Sequence, residues 1–313
     1  MTIESVGPFR LAPWFSERPW GRASLKPWYA ETGKSGLVGE SWLNGPESVI
    51  ETGALKGETF AAAVAANGKS VVGEAGAEFP LLVKLLFPND KLSVQVHPDD
   101  AHAQAMGQPR GKTECWYVLE AEAGATIALG LKEGVSVDVV REAIATGTLE
   151  EWVQWIPVSV GDMIFVDAGT VHAIGPGVVL LETQQTSDTT FRMYDYGRPR
   201  ELHVEDALKV MRLTTDAGKV AAKQMQEGFM RLIEQKYFTV DRYDIAAGDE
   251  VSIDGGLPTC LAGLRGTARV EWAGGDAVEL QPGRAVVVPV NVDQVNIRSD
   301  VGVSFVRCFA PTA

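Results

Sequence analysis

Short strand-like segments separated by glycine and proline dominate this chain and limit the folds that it can adopt. The most apolar run, residues 79–88, is bracketed by prolines and contains a lysine. It is far shorter than the roughly 20 residues that a membrane-spanning helix needs, so it predicts a buried strand. Short β-branched or aromatic segments with this punctuation are typical of β-sandwiches and barrels. We therefore predict a mainly β protein without membrane spans.

Helical patterns are few and lie between the strand-rich blocks. The alanine-rich residues 60–66 precede Asn67 and Gly68, which predict the end of a helix. Further helices are predicted at 99–106, 135–152 and 204–213, where apolar residues recur at helical spacing. Nothing indicates helices packed on a parallel sheet, so we interpret these segments as insertions in a β fold.

One internal repeat supports two related β-barrels. Residues 160–172 and 282–294 each contain a glycine turn, an apolar strand, a second turn and then a polar residue. Self-similarity of this kind indicates a repeated structural unit. Gln294 takes the place of His172, and no histidine follows His203. The second copy is therefore predicted to lack a histidine-based metal site.

The chain is long enough for two domains. At 313 residues it exceeds the size at which one hydrophobic core usually suffices. We place the boundary near residue 235, before the last β-rich block. The prediction is a metal-binding domain over residues 1–235, with helical insertions, and a metal-free β-barrel over residues 236–313.

Charge and cysteine content exclude several classes of protein. The formal net charge of −13 opposes nucleic-acid binding, which needs clustered positive charge. Three cysteines without paired spacing argue against a disulfide framework and fit a reducing compartment. Residues 1–8 also lack the basic start and apolar stretch of a signal peptide. We expect a cytoplasmic protein.

Two histidines, a carboxylate and an amide are candidates for one metal site. Gln95 and His97 are two positions apart in a strand-like run, so their side chains are predicted to share a face. Glu114 and His172 follow in turn-bounded strands. Such nitrogen and oxygen donors can hold a divalent ion. His102 is predicted to lie at the surface. Each ligand candidate could instead be a structural residue that is hydrogen-bonded in the core or exposed at a sheet edge and binds no metal.

Arg192 is the clearest candidate for binding an anion. In a strand over residues 191–195, Arg192 and Tyr194 are predicted to share a face. The guanidinium can pair structurally with Glu182 or Asp195, or it can meet an oxyanion or phosphate. Spacing alone does not choose between these roles. His203 is interpreted as a structural residue at a helix entry.

In combination, these motifs resemble the type I mannose-6-phosphate isomerase (phosphomannose isomerase) family in its short bacterial form. The resemblance covers nearly the whole chain and is specific because the blocks occur in order. The similar blocks are residues 39–42, 95–99, 111–114, 169–173, 190–195 and 198–202.

The resemblance implies a cupin fold, with two jelly-roll β-barrels and one zinc ion per chain in the first. It implies zinc ligands at His97, Glu114 and His172, with Gln95 as an additional ligand. It also implies active-site roles for three further residues: Lys112, Glu182 and Arg192, with Lys112 and Arg192 suited to a sugar phosphate. The implied reaction interconverts mannose 6-phosphate and fructose 6-phosphate through an enediolate.

Three alternatives remain open from the sequence. Two histidines and a carboxylate also form the iron site of cupin dioxygenases, although Gln95 would fill a position that an oxygenase needs open. A non-catalytic sugar-binding cupin would tolerate the loss of Glu182 or Lys112. The sequence distinguishes poorly between mannose 6-phosphate and another phosphorylated sugar as the substrate of the same isomerase reaction, because the shape of the pocket decides which sugar fits.

Overall fold

The chain is described by a computed structural model over residues 6–73, 76–225 and 228–311. Residues 1–5, which enter the signal-peptide argument, lie outside this part. The prediction of a mainly β protein is confirmed. In chain order, the strands within the described ranges are β1 (Phe9–Leu11), β2 (Trp14–Arg22), β3 (Val38–Trp42), β4 (Leu81–Leu86), β5 (Val94–Val96), β6 (Glu114–Ala121), β7 (Thr126–Leu131), β8 (Val153–Pro157), β9 (Met163–Val166), β10 (His172–Ile174), β11 (Val178–Gln185), β12 (Phe191–Tyr194), β13 (Gly218–Val220), β14 (Lys223–Gln224), β15 (Met230–Glu234), β16 (Thr239–Ile245), β17 (Glu250–Asp254), β18 (Thr259–Gly266), β19 (Ala268–Glu271), β20 (Val278–Leu280), β21 (Ala285–Val288), β22 (Gln294–Arg298) and β23 (Val303–Phe309).

Helices occupy the four predicted segments: α1 (Phe60–Val71), α2 (Asp100–Ala105), α3 (Val137–Thr146) and α4 (Val204–Val210). The predicted end of α1 at Asn67 is wrong, because non-helical geometry there (φ −127°, ψ 24°) kinks the helix without ending it. α3 ends at Gly147, which adopts the left-handed conformation, and a 3₁₀ turn follows at Leu149–Glu151. Among the described residues, no helix has the length and apolar character needed to cross a membrane.

The first sandwich consists of two facing sheets. Sheet I has seven strands in the order β13-β9-β6-β11-β4-β3-β2, and sheet II has five in the order β12-β5-β10-β7-β8. Trp116 and Leu180 of sheet I pack with Ile127 and Ile174 of sheet II in one buried cluster. The same inner faces also carry the polar residues described below, because side chains two positions apart on a strand point to the same side. The outer face of sheet II packs on α3 and α4.

The second sandwich consists of sheet III, in the order β1-β21-β18-β23-β16-β15-β14, and sheet IV, in the order β17-β22-β19-β20. The residues that join these sheets include Leu261 of sheet III and Val295 of sheet IV. Tyr117 of sheet I and Cys308 of sheet III belong to another cluster, so the two seven-stranded sheets pack back to back. The predicted β-barrels are thus sandwiches of open sheets, because the strand orders do not close.

The first strand belongs to the second sandwich. β1 pairs antiparallel with β21, with Phe9 opposite Val287. The start of the described chain therefore completes a sheet built largely from the end of the chain. A division at residue 235 into two domains stays a prediction.

The internal repeat lies at matching places in the two sandwiches. Gly161 precedes β9 and Gly283 precedes β21, and both adopt positive φ (93° and 70°), which glycine tolerates without steric cost. His172 is the first residue of β10, and Gln294 is the first residue of β22. His172 is buried whereas Gln294 is exposed. Only the first copy places an imidazole in the interior of its sandwich.

Candidate metal centre

The three predicted ligands His97, Glu114 and His172 come together between sheets I and II. Their ligand atoms lie within 4.8 Å of one another, and this is the one group of metal-ligating type found among the described residues. Each side chain is only 1% exposed. A buried group of two imidazoles and one carboxylate has the composition of a divalent-metal site.

Strand pairing explains why residues distant in sequence meet here. β5 and β10 are neighbours in sheet II, with His172 opposite Gln95. His97 directly follows β5, and Glu114 is the first residue of β6 in the facing sheet. Val94 and Val96 face the helix side of sheet II, so Gln95 faces inward as the strand alternation predicts. Sheet II thus supplies the imidazoles and sheet I supplies the carboxylate.

Backbone carbonyls orient both imidazole rings. His97 Nδ1 donates to Thr189 O and His172 Nδ1 donates to Thr170 O, each at 2.9 Å. Because a carbonyl only accepts, these bonds place the hydrogen on Nδ1 and leave Nε2 of each ring as an acceptor that can bind a metal ion. Nε2 of His97 and of His172 lies 3.7 and 3.5 Å, respectively, from the Glu114 carboxylate. Carbonyl-oriented imidazoles are the usual arrangement around a protein-bound metal.

Burial keeps both imidazoles neutral. It lowers the pKa of His172 to about 4, a shift to which the Lys112 ammonium also contributes. Burial and then Lys112 hold the pKa of His97 well below its usual range. A metal ligand must be unprotonated, so both histidines are prepared to bind near neutral pH.

The surroundings of the Glu114 carboxylate show whether a metal ion fits between these three residues. Neither of its buried carboxylate oxygens accepts a hydrogen bond from the described residues. Lys112 Nζ lies 2.9 Å from Oε2, as an ion pair without hydrogen-bond alignment. Lys112 compensates the charge of the Glu114 carboxylate, but burying its oxygens without hydrogen bonds is still costly. The donor set and the unsatisfied oxygens together fit a divalent cation.

Gln95 lies beside this group. Its Nε2 is 3.3 Å from His172 Nε2, and its Oε1 accepts a hydrogen bond from Ser93 Oγ at 3.3 Å. The side chain is half-buried. Metal ligation by Gln95 stays a prediction.

Lys112 lies where the metal group meets a cavity of about 440 Å³. Besides its contact with Glu114, its Nζ donates to His97 Nε2 at 3.2 Å. Burial acts to lower the pKa of Lys112, but the carboxylates of Glu114 and Glu182 outweigh it and raise that pKa above its usual range. The side chain is therefore a fixed cation at neutral pH.

Glu182 lines the same cavity and is held by two partners. Its Oε1 lies 3.3 Å from Lys84 Nζ, and its Oε2 accepts a hydrogen bond from Trp116 Nε1 at 3.1 Å. The pairing of β11 with both β4 and β6 places Lys84, Glu182 and Trp116 in one row on the inner face of sheet I. These contacts hold the Glu182 carboxylate in the wall of the cavity.

Sequence reasoning missed a chain of charges behind Glu182. Lys84 pairs with Glu182 and also acts electrostatically on Glu40. Glu40 accepts hydrogen bonds from Arg18 Nε at 2.7 Å and from Trp42 Nε1 at 2.6 Å. Burial acts to raise the pKa of Glu40, but Lys84 and Arg18 outweigh it and lower that pKa to about 2. Lys84 was the sequence feature that could have indicated these charges, because it is a single charged residue inside the apolar run of β4.

Arg192 lines the cavity from sheet II. Its Nη1 donates to Glu201 O at 2.7 Å, whereas its buried Nε has no partner among the described residues. Burial and then the neighbouring Arg200 lower its pKa from the usual value. Of the two structural pairings considered from the sequence, with Glu182 or Asp195, neither occurs as an ion pair in the described chain. The guanidinium retains a donor for an anion.

The prediction that Arg192 and Tyr194 share a face is wrong. The register of β12 shifts between them, so that Arg192 lies opposite Gln95 and Tyr194 opposite Val94. Tyr194 consequently packs on the helix side of sheet II. An irregularity of one residue reverses the side of a sheet to which a side chain points.

The remaining two histidines lie outside the metal group. His102 is exposed on α2 and its Nδ1 lies 2.7 Å from Asp99 Oδ1. His203 precedes α4, and its Nδ1 accepts a hydrogen bond from Arg192 N at 3.1 Å. The predicted surface position of His102 is confirmed, and His203 lies at a helix entry as predicted, whereas its structural role stays a prediction.

Comparison with known proteins gives consistent results. The family described as phosphomannose isomerase type I, catalytic domain, matches residues 9–131. The chain is 34% identical to a mannose-6-phosphate isomerase from Streptococcus mutans, over 94% of this chain and 96% of the relative. It is 36% identical to mannose-6-phosphate isomerase ManA from Bacillus subtilis, over 79% of this chain and 81% of the relative. The crystal structure of the mannose 6-phosphate isomerase from Bacillus subtilis is similar with a TM-score of 0.85 and 28% identity, covering 96% of this chain and 99% of that one.

Proposed function

This chain belongs to the type I mannose-6-phosphate isomerase family, and on that premise we propose that it interconverts mannose 6-phosphate and fructose 6-phosphate with one zinc ion per chain. The observation that carries the proposal is the buried His97–Glu114–His172 group, whose unsatisfied carboxylate lies beside a cavity with a lining of mixed charge that includes Lys112 and Arg192. An aldose–ketose isomerisation needs a metal or other electrophile, a base and an anion-binding group. Candidates for all three are present.

We assign the zinc to His97, Glu114 and His172, with Gln95 as an additional ligand. Nitrogen and carboxylate donors suit zinc, and a zinc site that keeps an open position supplies Lewis-acid polarisation of a substrate carbonyl. Supporting this assignment, both imidazoles are neutral, and their Nε2 atoms face the carboxylate. Gln95 is placed beside His172 at the cavity wall.

We assign the proton transfer between C1 and C2 to Glu182. The reaction passes through an enediolate, so one group must accept the proton and return it to the neighbouring carbon. The fixed positive charge of Lys112 makes it a poor base at neutral pH and a good partner for negative charge developing on oxygen. Glu182 lines the cavity as a carboxylate held by Lys84 and Trp116.

Arg192 and Lys112 are the proposed substrate-binding cations. Arg192 lines the cavity without an ion-pair partner among the described residues, so its guanidinium charge is available to the phosphate or to the enediolate. Because the net charge of −13 repels anions at long range, recognition of a sugar phosphate depends on these local cations. We also propose a cytoplasmic location, which the three free buried cysteines support.

The decisive experiment supplies mannose 6-phosphate to the metal-loaded protein and measures fructose 6-phosphate. We expect product that disappears on chelation and returns when zinc is added. Absence of product from the metal-loaded protein would contradict the proposal. Oxygen consumption with an iron-loaded protein would instead indicate a dioxygenase, and sugar binding without turnover would indicate a binding cupin.

A further inference from the structure

The segment that carries Lys112 is pressed against the start of α2. Lys112 N donates to Pro98 O at 2.9 Å. A Cβ added to Gly111 would lie 2.5 Å from Pro98 O and 2.4 Å from the Asp99 carbonyl carbon. No side chain fits in that space, which explains the glycine. The position of the Lys112 backbone therefore follows that of residues 98–100.

One carboxylate holds the residues on both sides of Lys112. Asp100 Oδ1 accepts hydrogen bonds from Gly111 N at 2.9 Å and from Gln185 Nε2 at 3.0 Å. Gln185 Oε1 in turn accepts from Thr113 N at 2.9 Å, and Gln185 N donates to Thr113 O at 3.1 Å. Asp100 and Gln185 thus form a clamp around residues 111–113.

The second oxygen of this carboxylate contacts the other sandwich. Asp100 Oδ2 accepts a hydrogen bond from Tyr237 Oη at 2.6 Å. Tyr237 lies between β15 and β16, which are neighbours in sheet III. Asp100 and Tyr237 line a cleft of about 510 Å³, whereas Lys112 lines the separate cavity beside the metal group. Asp100 therefore joins the second sandwich to the active-site lysine from outside the active site.

We propose that Asp100, supported by Tyr237 and Gln185, is a positioning residue that holds the Lys112 ammonium at the active-site cavity. The proposal rests on the isomerase function assigned above. Freeing residues 111–113 would let the ammonium move away from the place where negative charge develops. Displacement of about 1 Å at a reacting group is enough to lower turnover by as much as about a hundredfold.

The test compares turnover of mannose 6-phosphate by metal-loaded variants. Asp100→Ala should lower kcat about tenfold or more, with an unchanged metal content per chain. Asp100→Asn should stay within about threefold of the wild type, because its amide oxygen still accepts from Gly111 and Gln185. Asp216→Ala removes an exposed carboxylate from the same cleft and should leave kcat unchanged. Wild-type kcat in folded Asp100→Ala would overturn the proposal.

A double-mutant cycle separates positioning from a general loss of stability. If Asp100 acts through Lys112, the Asp100→Ala/Lys112→Ala protein should be no slower than Lys112→Ala alone. Independent, multiplying losses would contradict the mechanism. Should Asp100→Ala fail to fold, Tyr237→Phe provides the test. We expect a fall in kcat of about twofold to fivefold that vanishes in the Lys112→Ala background, and wild-type kcat would overturn the proposal.

A structural measurement distinguishes this proposal from the proposed function itself. If the wild-type protein does not isomerise mannose 6-phosphate, the function fails, but the position of Lys112 can still be determined. A crystal structure of Asp100→Ala, or of Tyr237→Phe if the former does not fold, should show residues 111–113 displaced. An unmoved Lys112 Nζ would refute the positioning role.

Discussion

The Lys112 ammonium lies 2.9 Å from the Glu114 carboxylate, and the two side chains are 5% and 1% exposed. A divalent ion bound by Glu114 would therefore share that carboxylate with Lys112. In the metal-free protein, Lys112 is the charge that compensates Glu114. The lysine is thus expected to affect stability and metal binding as well as turnover.

Replacing Lys112 by Met should destabilise the metal-free protein by about 3–5 kcal/mol, because it leaves a buried carboxylate uncompensated. The loss should be smaller in the zinc-loaded protein, where the ion compensates Glu114. Urea unfolding with and without zinc measures both values, and Lys209→Met at an exposed ion pair serves as the control. Equal losses in the two states would contradict this expectation.

Replacing Arg192 by Ala should lower turnover by about a hundredfold, the usual effect of removing one donor to a developing anion. Zinc content should stay at the wild-type level, because Arg192 does not contact the metal group. Steady-state kinetics and metal analysis of the same preparation test both statements. Arg141→Ala, at an exposed ion pair, is the matched control. Wild-type turnover would remove the proposed role.

Replacing Glu182 by Gln should lower turnover by about a hundredfold to ten-thousandfold, because the amide cannot accept the proton. The amide oxygen still accepts a hydrogen bond from Trp116, and Lys84 keeps the nearby Glu40 carboxylate as a counter-charge, so the fold and metal content should be retained. Exchange of the C2 proton with solvent during turnover should fall in parallel. If turnover persists in Glu182→Gln, another group moves the proton.

The metal-free protein should lose stability as the pH falls from about 6.5 to about 4. His172 has a folded pKa of about 4 against an ordinary value of 6.5, so below 6.5 the unfolded chain binds a proton that the folded chain excludes. The loss attributable to His172 is about 3 kcal/mol and levels off below its folded pKa. Unfolding of chelated wild-type protein and of His172→Gln across this interval should show the difference. A parallel pH dependence in the two proteins would contradict the attribution.

Several features of the site were predictable because they depend on local geometry. Strand alternation places Gln95 and Val96 on opposite faces of β5, and it places Gln95 and His97 on the same side. The repeated glycine–strand–turn pattern predicted the matching positions of His172 and Gln294, because a turn and the strand after it are fixed by a few neighbouring residues. The order of the motifs also identified the family.

The same local rules failed where distant strands set the register. Nothing in residues 191–195 indicates the shift in β12 that turns Tyr194 away from Arg192, because the irregularity appears only in the pairing of β12 with the distant strand β5.

The sequence by itself determined the mainly β class, the family and the three members of the metal-ligating group. Only the tertiary structure decided how these residues are held. The Lys84–Glu182 pair and the Asp100–Tyr237 bond join residues 98 and 137 positions apart, respectively. The first contact arises from the pairing of β4 with β11 within sheet I, and the second from the packing of α2 against the second sandwich. The energetic reason is that a buried charged or polar group needs a partner from whichever element the fold places beside it.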